Sequence, residues 1–303
     1  MNKLRLCAAA IAALVIVALT PTGGGATFPG NNGRILFTRG SFERPVFLVS
    51  MDPDGSDPTR LTRRSRNAFG ASWAPDGSRF VYSQVDGEGN VDLFLRNADG
   101  SNRIRVTNSK RRDEFQAAFG PDGNQVVYQG CAFQCDLFTK DLTTGTRTRV
   151  THTRADEIAP DWSVDDVIVY ERSPRRRGDI EIFTIHPDGT TRRRLTDNRR
   201  LQDVSASWSP DGSRIVYSRC GFEAGCDLFT MNPNGFGRTR ITRTRADEFG
   251  AHFSPDGRFL VMTRSRGEGR GDLFRLRANG RHPHRLTDTP NKFEVDADWQ
   301  PNP

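Results

Sequence analysis

Short apolar runs of about three residues recur along the chain, and polar turns separate each run from the next. The runs are rich in β-branched and aromatic residues, which is typical of short strands that are buried on both faces. One set of these runs occupies residues 80–82, 126–128, 168–170, 215–217 and 260–262. The pattern therefore predicts an all-β protein.

A turn motif precedes each of these runs. An aromatic residue followed by x-Pro-Asp-Gly begins at Trp73, Phe119, Trp208 and Phe253, and degenerate copies begin at Trp162 and Trp299. The six aromatics are separated by 46, 43, 46, 45 and 46 residues. Spacing this regular indicates an internal repeat.

The repeat unit predicts a sheet of four short antiparallel strands. The aromatic ends strand one and the apolar run forms strand two. An acid-apolar-Phe segment such as 92–94 forms strand three, and an Arg-apolar-Thr segment such as 105–107 forms strand four. Asp-Gly turns such as 99–100 supply the positive φ that tight hairpins need. Four strands at a period near 45 residues predict a propeller blade.

The two ends of the repeat region are complementary. Residues 34–62 contain strands two, three and four without strand one, whereas the last repeat stops just after Trp299, with strand one alone. We therefore expect a six-bladed β-propeller whose last blade combines N-terminal strands two to four with C-terminal strand one. Strands that converge on one axis need small side chains, and these precede each aromatic by two residues, at Ala71, Ala117, Pro160, Ala206, Ala251 and Ala297.

The aromatic-Ser-Pro-Asp-Gly turns before apolar strands resemble the WD-like propeller repeat of TolB-type proteins. The resemblance covers about residues 30–303. It implies the propeller alone, without the separate N-terminal domain of TolB, and it is far more specific for fold than for function.

The first 26 residues predict a signal peptide. Lys3 and Arg5 precede an apolar segment at 6–19, and residues 24–26 offer small side chains for cleavage; an uncleaved anchor is the alternative. The mature protein, residues 27–303, would then be exported to the periplasm or the extracellular space without stable membrane insertion. Cleavage would lower the formal charge from +7 to +5.

Four cysteines remain after the signal peptide, in two close pairs. An oxidising compartment favours one local disulfide in each pair, between Cys131 and Cys135 and between Cys220 and Cys226. A four-thiolate metal site is the alternative, but the spacing within the pairs fits it poorly.

A charged loop precedes strand one in most repeats. Counted back from the aromatic, five acids share one position, and we call them the rim acids: Glu114, Glu157, Asp203, Glu248 and Glu294. Further acids accompany them at Asp113, Asp156, Asp247 and Asp296. We expect these acids around one mouth of the channel, where they could receive a basic peptide or a Ca²⁺ ion. Alternatively, each acid pairs with the arginine of its own loop or caps the backbone.

The sequence contains no recognisable catalytic motif, and we predict no catalytic residues and no metal ligands. Of the five histidines, His252 alone falls on a predicted strand one, so we place it beside the channel. Oligogalacturonate-lyase-like propellers gather a metal on several histidines at the channel, and these positions do not converge in that way.

The chain has 44 Lys and Arg residues, of which all but four are Arg, a composition that raises nucleic-acid binding as a class. In every repeat, however, one Arg stands on the outermost strand, where charge discourages edge-to-edge aggregation. Arginine runs at 175–177, 192–194 and 199–200 could form a basic patch for an anionic polymer. We expect no nucleic-acid partner.

These observations together predict an exported, monomeric binding or scaffold propeller of the cell envelope, with a protein or peptide bound at the channel mouth. No cofactor is expected apart from the candidate Ca²⁺. An enzyme is the alternative class, a metal-dependent lyase or hydrolase acting on polysaccharide.

Overall fold

The computed structural model describes residues 27–41, 44–174, 179–221, 225–265, 267 and 270–302. The predicted signal peptide and the arginine run at 175–177 lie outside the described residues. Throughout the described ranges the regular structure is β, apart from one 3-10 helix at Arg64–Arg66. None of the helices in those ranges has the length and apolar character required to cross a bilayer.

The strands follow one another in a regular order, with turns between them. In chain order they are β1 Asn31–Ser41, β2 Arg44–Met51, β3 Thr59–Arg60, β4 Ala68–Trp73, β5 Arg79–Val85, β6 Val91–Asn97, β7 Ile104–Arg105, β8 Asp113–Phe119, β9 Gln125–Cys131, β10 Cys135–Asp141, β11 Arg147–Arg149, β12 Asp156–Trp162, β13 Ile168–Ser173, β14 Glu181–Ile185, β15 Arg193–Arg194, β16 Leu201–Trp208, β17 Ile215–Gly221, β18 Gly225–Met231, β19 Thr239–Arg240, β20 Asp247–Phe253, β21 Phe259–Ser265, β22 Gly271–Arg277, β23 His284–Arg285 and β24 Phe293–Asn302.

Most of these strands form separate four-stranded sheets in which consecutive strands pair antiparallel. The sheets are β4–β7, β8–β11, β12–β15 and β16–β19. Each begins with the strand that ends on a repeat aromatic and ends with the short Arg-containing strand. The strand content predicted for the repeat unit is confirmed.

The remaining strands form one larger sheet that joins the two ends of the chain. Strands β20–β23 make four of its strands, and β24 pairs antiparallel with β1, which continues to β2 and β3. The register places Ile35 opposite Trp299 and Arg39 opposite Glu294. The two halves meet through a single parallel pair, Gly271 with Phe293.

The aromatic that ends each strand one packs against the sheet before it. Trp208 of β16 lies in one buried cluster with Val169 and Ile182 of the preceding sheet. Trp299 of β24 packs in the same way with Val261 and Leu273. All six aromatics are at most 3% exposed, so they form the apolar contact between neighbouring sheets.

The strands that carry these aromatics are called the inner strands here: β4, β8, β12, β16, β20 and β24. Each contacts the next along the chain, and β24 contacts β4. The small residues predicted at their contacts, including Ala71, Ala206 and Ala297, are almost completely buried. Both predicted disulfides are present in the hairpins between strands two and three. Cys131–Cys135 joins β9 to β10, and Cys220–Cys226 joins β17 to β18.

Candidate functional site

The rim acids lie at the start of the inner strands, and all five are buried, with at most 2% exposure. Each has an arginine partner, but this arginine comes from another strand and not from the acid's own loop. Three pairs are short: Arg39 Nε lies 2.6 Å from Glu294, Arg219 forms two bonds of 2.7 and 2.9 Å with Asp203, and Arg264 lies 2.7 Å from Glu248. These carboxylates are held in buried ion pairs.

The strand register explains which arginine is chosen. Arg39, Arg219 and Arg264 stand directly opposite their acids on strand two, as does Arg172 opposite Glu157 at 3.6 Å. Opposite Glu114 the register places Gly130, and Arg147 of β11 reaches that acid instead, at 3.6 Å. Burial is the main cause that raises the pKa values of Glu114 and Glu157.

The second group of predicted acids links neighbouring sheets. Asp113, Asp156 and Asp247 each accept a hydrogen bond from the backbone N–H at the start of strand three in the preceding sheet. Their donors are Val91 N at 3.0 Å, Cys135 N at 2.8 Å and Cys226 N at 3.0 Å. These hydrogen bonds cap the backbone of the preceding sheet. The sequence analysis gave backbone capping as an alternative role for these acids, but within their own loop.

Asp296 does not share the position of the rim acids. It occupies a bulge three residues before Trp299, with positive φ, and Thr38 Oγ1 donates to its Oδ2 at 3.4 Å. Desolvation raises the pKa of this carboxyl to about 7.

His252 lies on an inner strand as predicted and is 2% exposed. Its Nδ1 lies 3.3 Å from Ser207 Oγ of the neighbouring inner strand. Across the described part of the chain, no group of three or more His, Cys, Asp or Glu side chains is arranged to hold a metal ion.

Two buried acids beside the repeat aromatics were not identified in the sequence analysis. Asp161 and Asp298 stand directly before Trp162 and Trp299, where other repeats have Ser, Ala or His. Each accepts the backbone N–H of the next repeat's aromatic: Trp208 N donates to Asp161 at 2.7 Å, and Trp73 N donates to Asp298 at 2.8 Å. Their departure from the repeat pattern was the available signal.

Burial dominates the electrostatics of these two carboxyl groups. It raises the pKa of Asp161 to about 7 and the pKa of Asp298 well above its ordinary value. Asp161 further raises the pKa of Asp298, so the two groups influence each other through space.

Exposed arginines without an ion pair stand in the loops before the inner strands. Arg111, Arg154, Arg200 and Arg245 are all exposed, and within the ranges that the structure describes none of them forms an ion pair. The rim acids of the same loops are buried, and Asp113, Asp156 and Asp247 are partly buried. Two exposed acids, Asp197 and Asp288, form ion pairs with the strand-four arginines Arg194 and Arg285. This face of the molecule therefore presents arginines to solvent.

Comparison with known proteins gives relatives that match part of the chain, while no family model matches. An uncharacterised protein of Agrobacterium fabrum is 28% identical over 145 residues, 48% of each chain. The TolB homolog of Chlorobaculum tepidum is 30% identical over 126 residues, 40% of this chain and 27% of the relative. The Tol-Pal system protein TolB of Francisella tularensis is 23% identical over 177 residues, 56% of this chain and 39% of the relative. The chain thus spans half or less of these relatives.

Solved structures match nearly all of the described fold. TolB from Acinetobacter baumannii has a TM-score of 0.76 and 20% identity, covering 89% of this chain and 67% of that chain. An oligogalacturonate lyase in complex with manganese has a TM-score of 0.62 and 20% identity, covering 88% of this chain and 77% of that one. At 20% sequence identity these structural similarities show the fold, and the TolB relatives agree with it. The chain folds as a TolB-type β-propeller built of four-stranded antiparallel sheets.

Proposed function

We propose that the chain is an exported, monomeric propeller of six blades that binds a protein or peptide partner in the cell envelope. Two contacts support six blades and a closed ring. Strands β1–β3 complete a four-stranded unit with β24, and the inner strands contact one another in succession from β4 to β24 and back to β4.

The observation that carries the functional proposal is the likeness to TolB over 89% of the chain. A relative bears the name of a Tol-Pal system protein, which connects the comparison to an assembly of proteins. Propellers host many activities, so the fold supports a binding scaffold without naming its partner.

The loops before the inner strands are the proposed docking face. They expose Arg111, Arg154, Arg200 and Arg245 without an ion pair among the described residues, whereas the exposed acids Asp197 and Asp288 are paired with arginines. This favours a partner with an acidic surface. Binding of a basic peptide or Ca²⁺ by the rim acids, as expected from the sequence, stays a prediction. Such a ligand would have to displace arginines from buried ion pairs.

The partner can be captured by crosslinking in the native envelope, followed by purification through the propeller. We expect the double variant Arg154→Glu with Arg245→Glu to bind that partner at least tenfold more weakly. A matched control, Arg192→Glu with Arg193→Glu, changes equally exposed arginines on and beside an outer strand and should bind normally.

A second pair of variants separates the two interpretations of the docking face. Glu157→Gln with Glu248→Gln keeps the loop arginines and removes two rim carboxylates. Weaker binding in this variant alone would support a cationic ligand at the rim acids. Equal binding by all three double variants and the unmodified protein would contradict docking at this face.

The structural similarity to an oligogalacturonate lyase supports an alternative function, that of a metal-dependent enzyme acting on polysaccharide. The test is the metal content of purified protein together with release of unsaturated products from oligogalacturonate. Stoichiometric Mn²⁺ or Zn²⁺ with turnover that His252→Ala abolishes would establish the enzyme and overturn the scaffold.

A further inference from the structure

We propose that a cavity between the N-terminal strands and the β4–β7 sheet binds a phosphate or sulfate group. The cavity has a volume of about 450 Å³. Five arginines line it, and we call it the arginine pocket: Arg60, Arg63, Arg66, Arg96 and Arg103. None of its lining residues within the described ranges is acidic.

The first reason for this excess of positive charge is a missing acid on strand three. In the five other repeats the strand-four arginine pairs with an acid at the start of strand three, as Arg149 does with Asp136 at 2.8 Å. Leu48 N donates to Thr62 Oγ1 just as Leu137 N donates to Thr151 Oγ1, so Phe47 occupies the position of that acid. Arg60 is thereby left without an ion pair among the described residues.

The second reason is a missing rim acid. Ala68 stands where the other five repeats have Glu114, Glu157, Asp203, Glu248 and Glu294. Opposite Ala68 the register places Gln84 instead of the arginine found opposite most rim acids. Both members of the buried ion pair are therefore replaced in this one repeat.

The neighbouring repeat provides a comparison within the same molecule. An equivalent cavity of about 530 Å³ lies one blade farther on and is lined by Arg105, Lys140 and Arg147. There Glu114 lies 3.6 Å from Arg147, and Asp92 forms an ion pair with Arg105. Acids thus neutralise basic residues in the cavity of the neighbouring repeat, whereas the arginine pocket has no acid among its lining residues.

Gln84 adds a donor at the base of the arginine pocket. Its side chain is 1% exposed and lines the cavity, and its Nε2 has no hydrogen-bond partner among the described residues. A buried amide donor without a partner is costly, and an oxyanion in the cavity would satisfy it.

Two of the arginines are held in place by other contacts. Arg96 Nε donates to Tyr82 Oη at 3.1 Å, and the Arg103 guanidinium lies 3.9 Å from the centre of the Phe94 ring. Guanidinium groups bind tetrahedral oxyanions through parallel N–H donors, and several of them together suit a dianion better than a single carboxylate. The ligand class is therefore a phosphate or sulfate, free or as an ester on a larger molecule.

The test is calorimetric titration of the full mature chain with inorganic pyrophosphate and, separately, with a chondroitin sulfate tetrasaccharide. We expect one-to-one binding of at least one probe that weakens with added salt. The stronger probe identifies the source as a free phosphate or a sulfated glycan. Failure of both probes to bind would overturn the proposal.

Variants locate the site. Ala68→Glu restores the acid of the other repeats, and we expect it to weaken binding at least tenfold. Because residue 68 is buried, Arg63→Ser with Arg66→Ser provides a second variant on exposed positions, with the same expectation. Arg277→Ser with Arg281→Ser, two exposed arginines outside the arginine pocket, is the matched control and should bind within twofold of the unmodified protein. Equal binding by the Arg63/Arg66 variant and this control would also overturn the proposal.

Discussion

Some buried carboxyl groups, including those of Glu171 and Asp161, have no arginine partner among the described residues. Glu171 is 2% exposed, and the backbone N–H of Ser205 donates to its Oε1 at 2.6 Å from the adjacent inner strand. Burial raises the pKa of Glu171 to about 8 and that of Asp161 to about 7. Both groups are therefore protonated in the folded protein at mildly acidic pH.

A folded-state pKa above the unfolded value makes stability depend on pH in a defined direction. The folded chain binds more protons than the unfolded chain between about pH 4 and pH 8. The stabilisation is complete below the ordinary pKa of the carboxyl groups and is lost as the pH rises through the folded-state values. We expect the free energy of unfolding to be lower at pH 8 than at pH 5 by about 1–3 kcal/mol.

Glu171→Gln should flatten this profile. Gln129 is the natural equivalent in the preceding sheet, and its Oε1 accepts the N–H of Ala159 at 2.8 Å, so an amide fits the site. Denaturant unfolding at pH 5 and pH 8 should show that the variant loses about 1 kcal/mol less than the unmodified protein. Glu88→Gln, on an exposed loop, serves as control, and the same loss in both variants would contradict the assignment.

At the scale of the element, the inner strands share one backbone distortion. The residue three before each aromatic has positive φ in all six strands: Gly70, Gln116, Ala159, Ser205, Gly250 and Asp296. The pairing with strand two shifts at this point, which is the signature of a β-bulge. In four sheets a strand-two side chain accepts the N–H of the next bulge, so the distortion links neighbouring blades.

Gly250→Ala tests the free-energy cost of placing a residue other than glycine at positive φ in the bulge, without a steric clash of the added methyl group. A Cβ at Gly250 would meet no atom within 4 Å, yet its φ is +61°. We expect a loss of about 1 kcal/mol in the free energy of unfolding. Gly87→Ala is the control, because a Cβ there also meets nothing within 4 Å and its φ is not positive. Equal effects of the two substitutions on thermal unfolding would show that the bulge is unstrained.

At the scale of the whole molecule, the pairing of β24 with β1 brings the ends of the chain together. Asn31 stands opposite Asn302 at the edge of this pair, and both side chains are exposed. The four described cysteines are already joined in local disulfides. A new crosslink at this edge would therefore report on closure of the proposed ring.

Asn31→Cys with Asn302→Cys should form a disulfide in the oxidised protein, detectable as a loss of two thiols. Because it closes a loop of most of the chain, we expect stabilisation of about 2–4 kcal/mol relative to the reduced form. Asn31→Cys alone should show no change on oxidation. Free thiols in the oxidised double variant would contradict the closed arrangement.

The repeat pattern was sufficient to predict the strands, because each unit combines local signals that do not depend on distant residues. Asp-Gly turns such as 76–77 and apolar runs such as 80–82 specify hairpins wherever they occur. The two disulfides were predictable for the same reason, since each joins residues opposite each other in one hairpin.

The partners of the charged residues depended on register between strands, which the sequence does not show. The sequence placed Glu157 near Arg154 in one loop, whereas the sheet places it opposite Arg172. The bulge residues were equally hidden, because Gln116 and Ala159 carry no preference for positive φ.

The sequence by itself determined the all-β fold, the four-stranded unit and the positions of the buried aromatics, because these follow from local periodicity. The tertiary structure alone decided which charges are exposed. Buried acids require partners within a few ångströms, and strand pairing supplied arginines to the rim acids while leaving the loop arginines in solvent. It also showed that Phe47 and Ala68 stand where the other repeats have acids. The arginine pocket therefore lacks the carboxylates that neutralise the equivalent cavity of the next repeat.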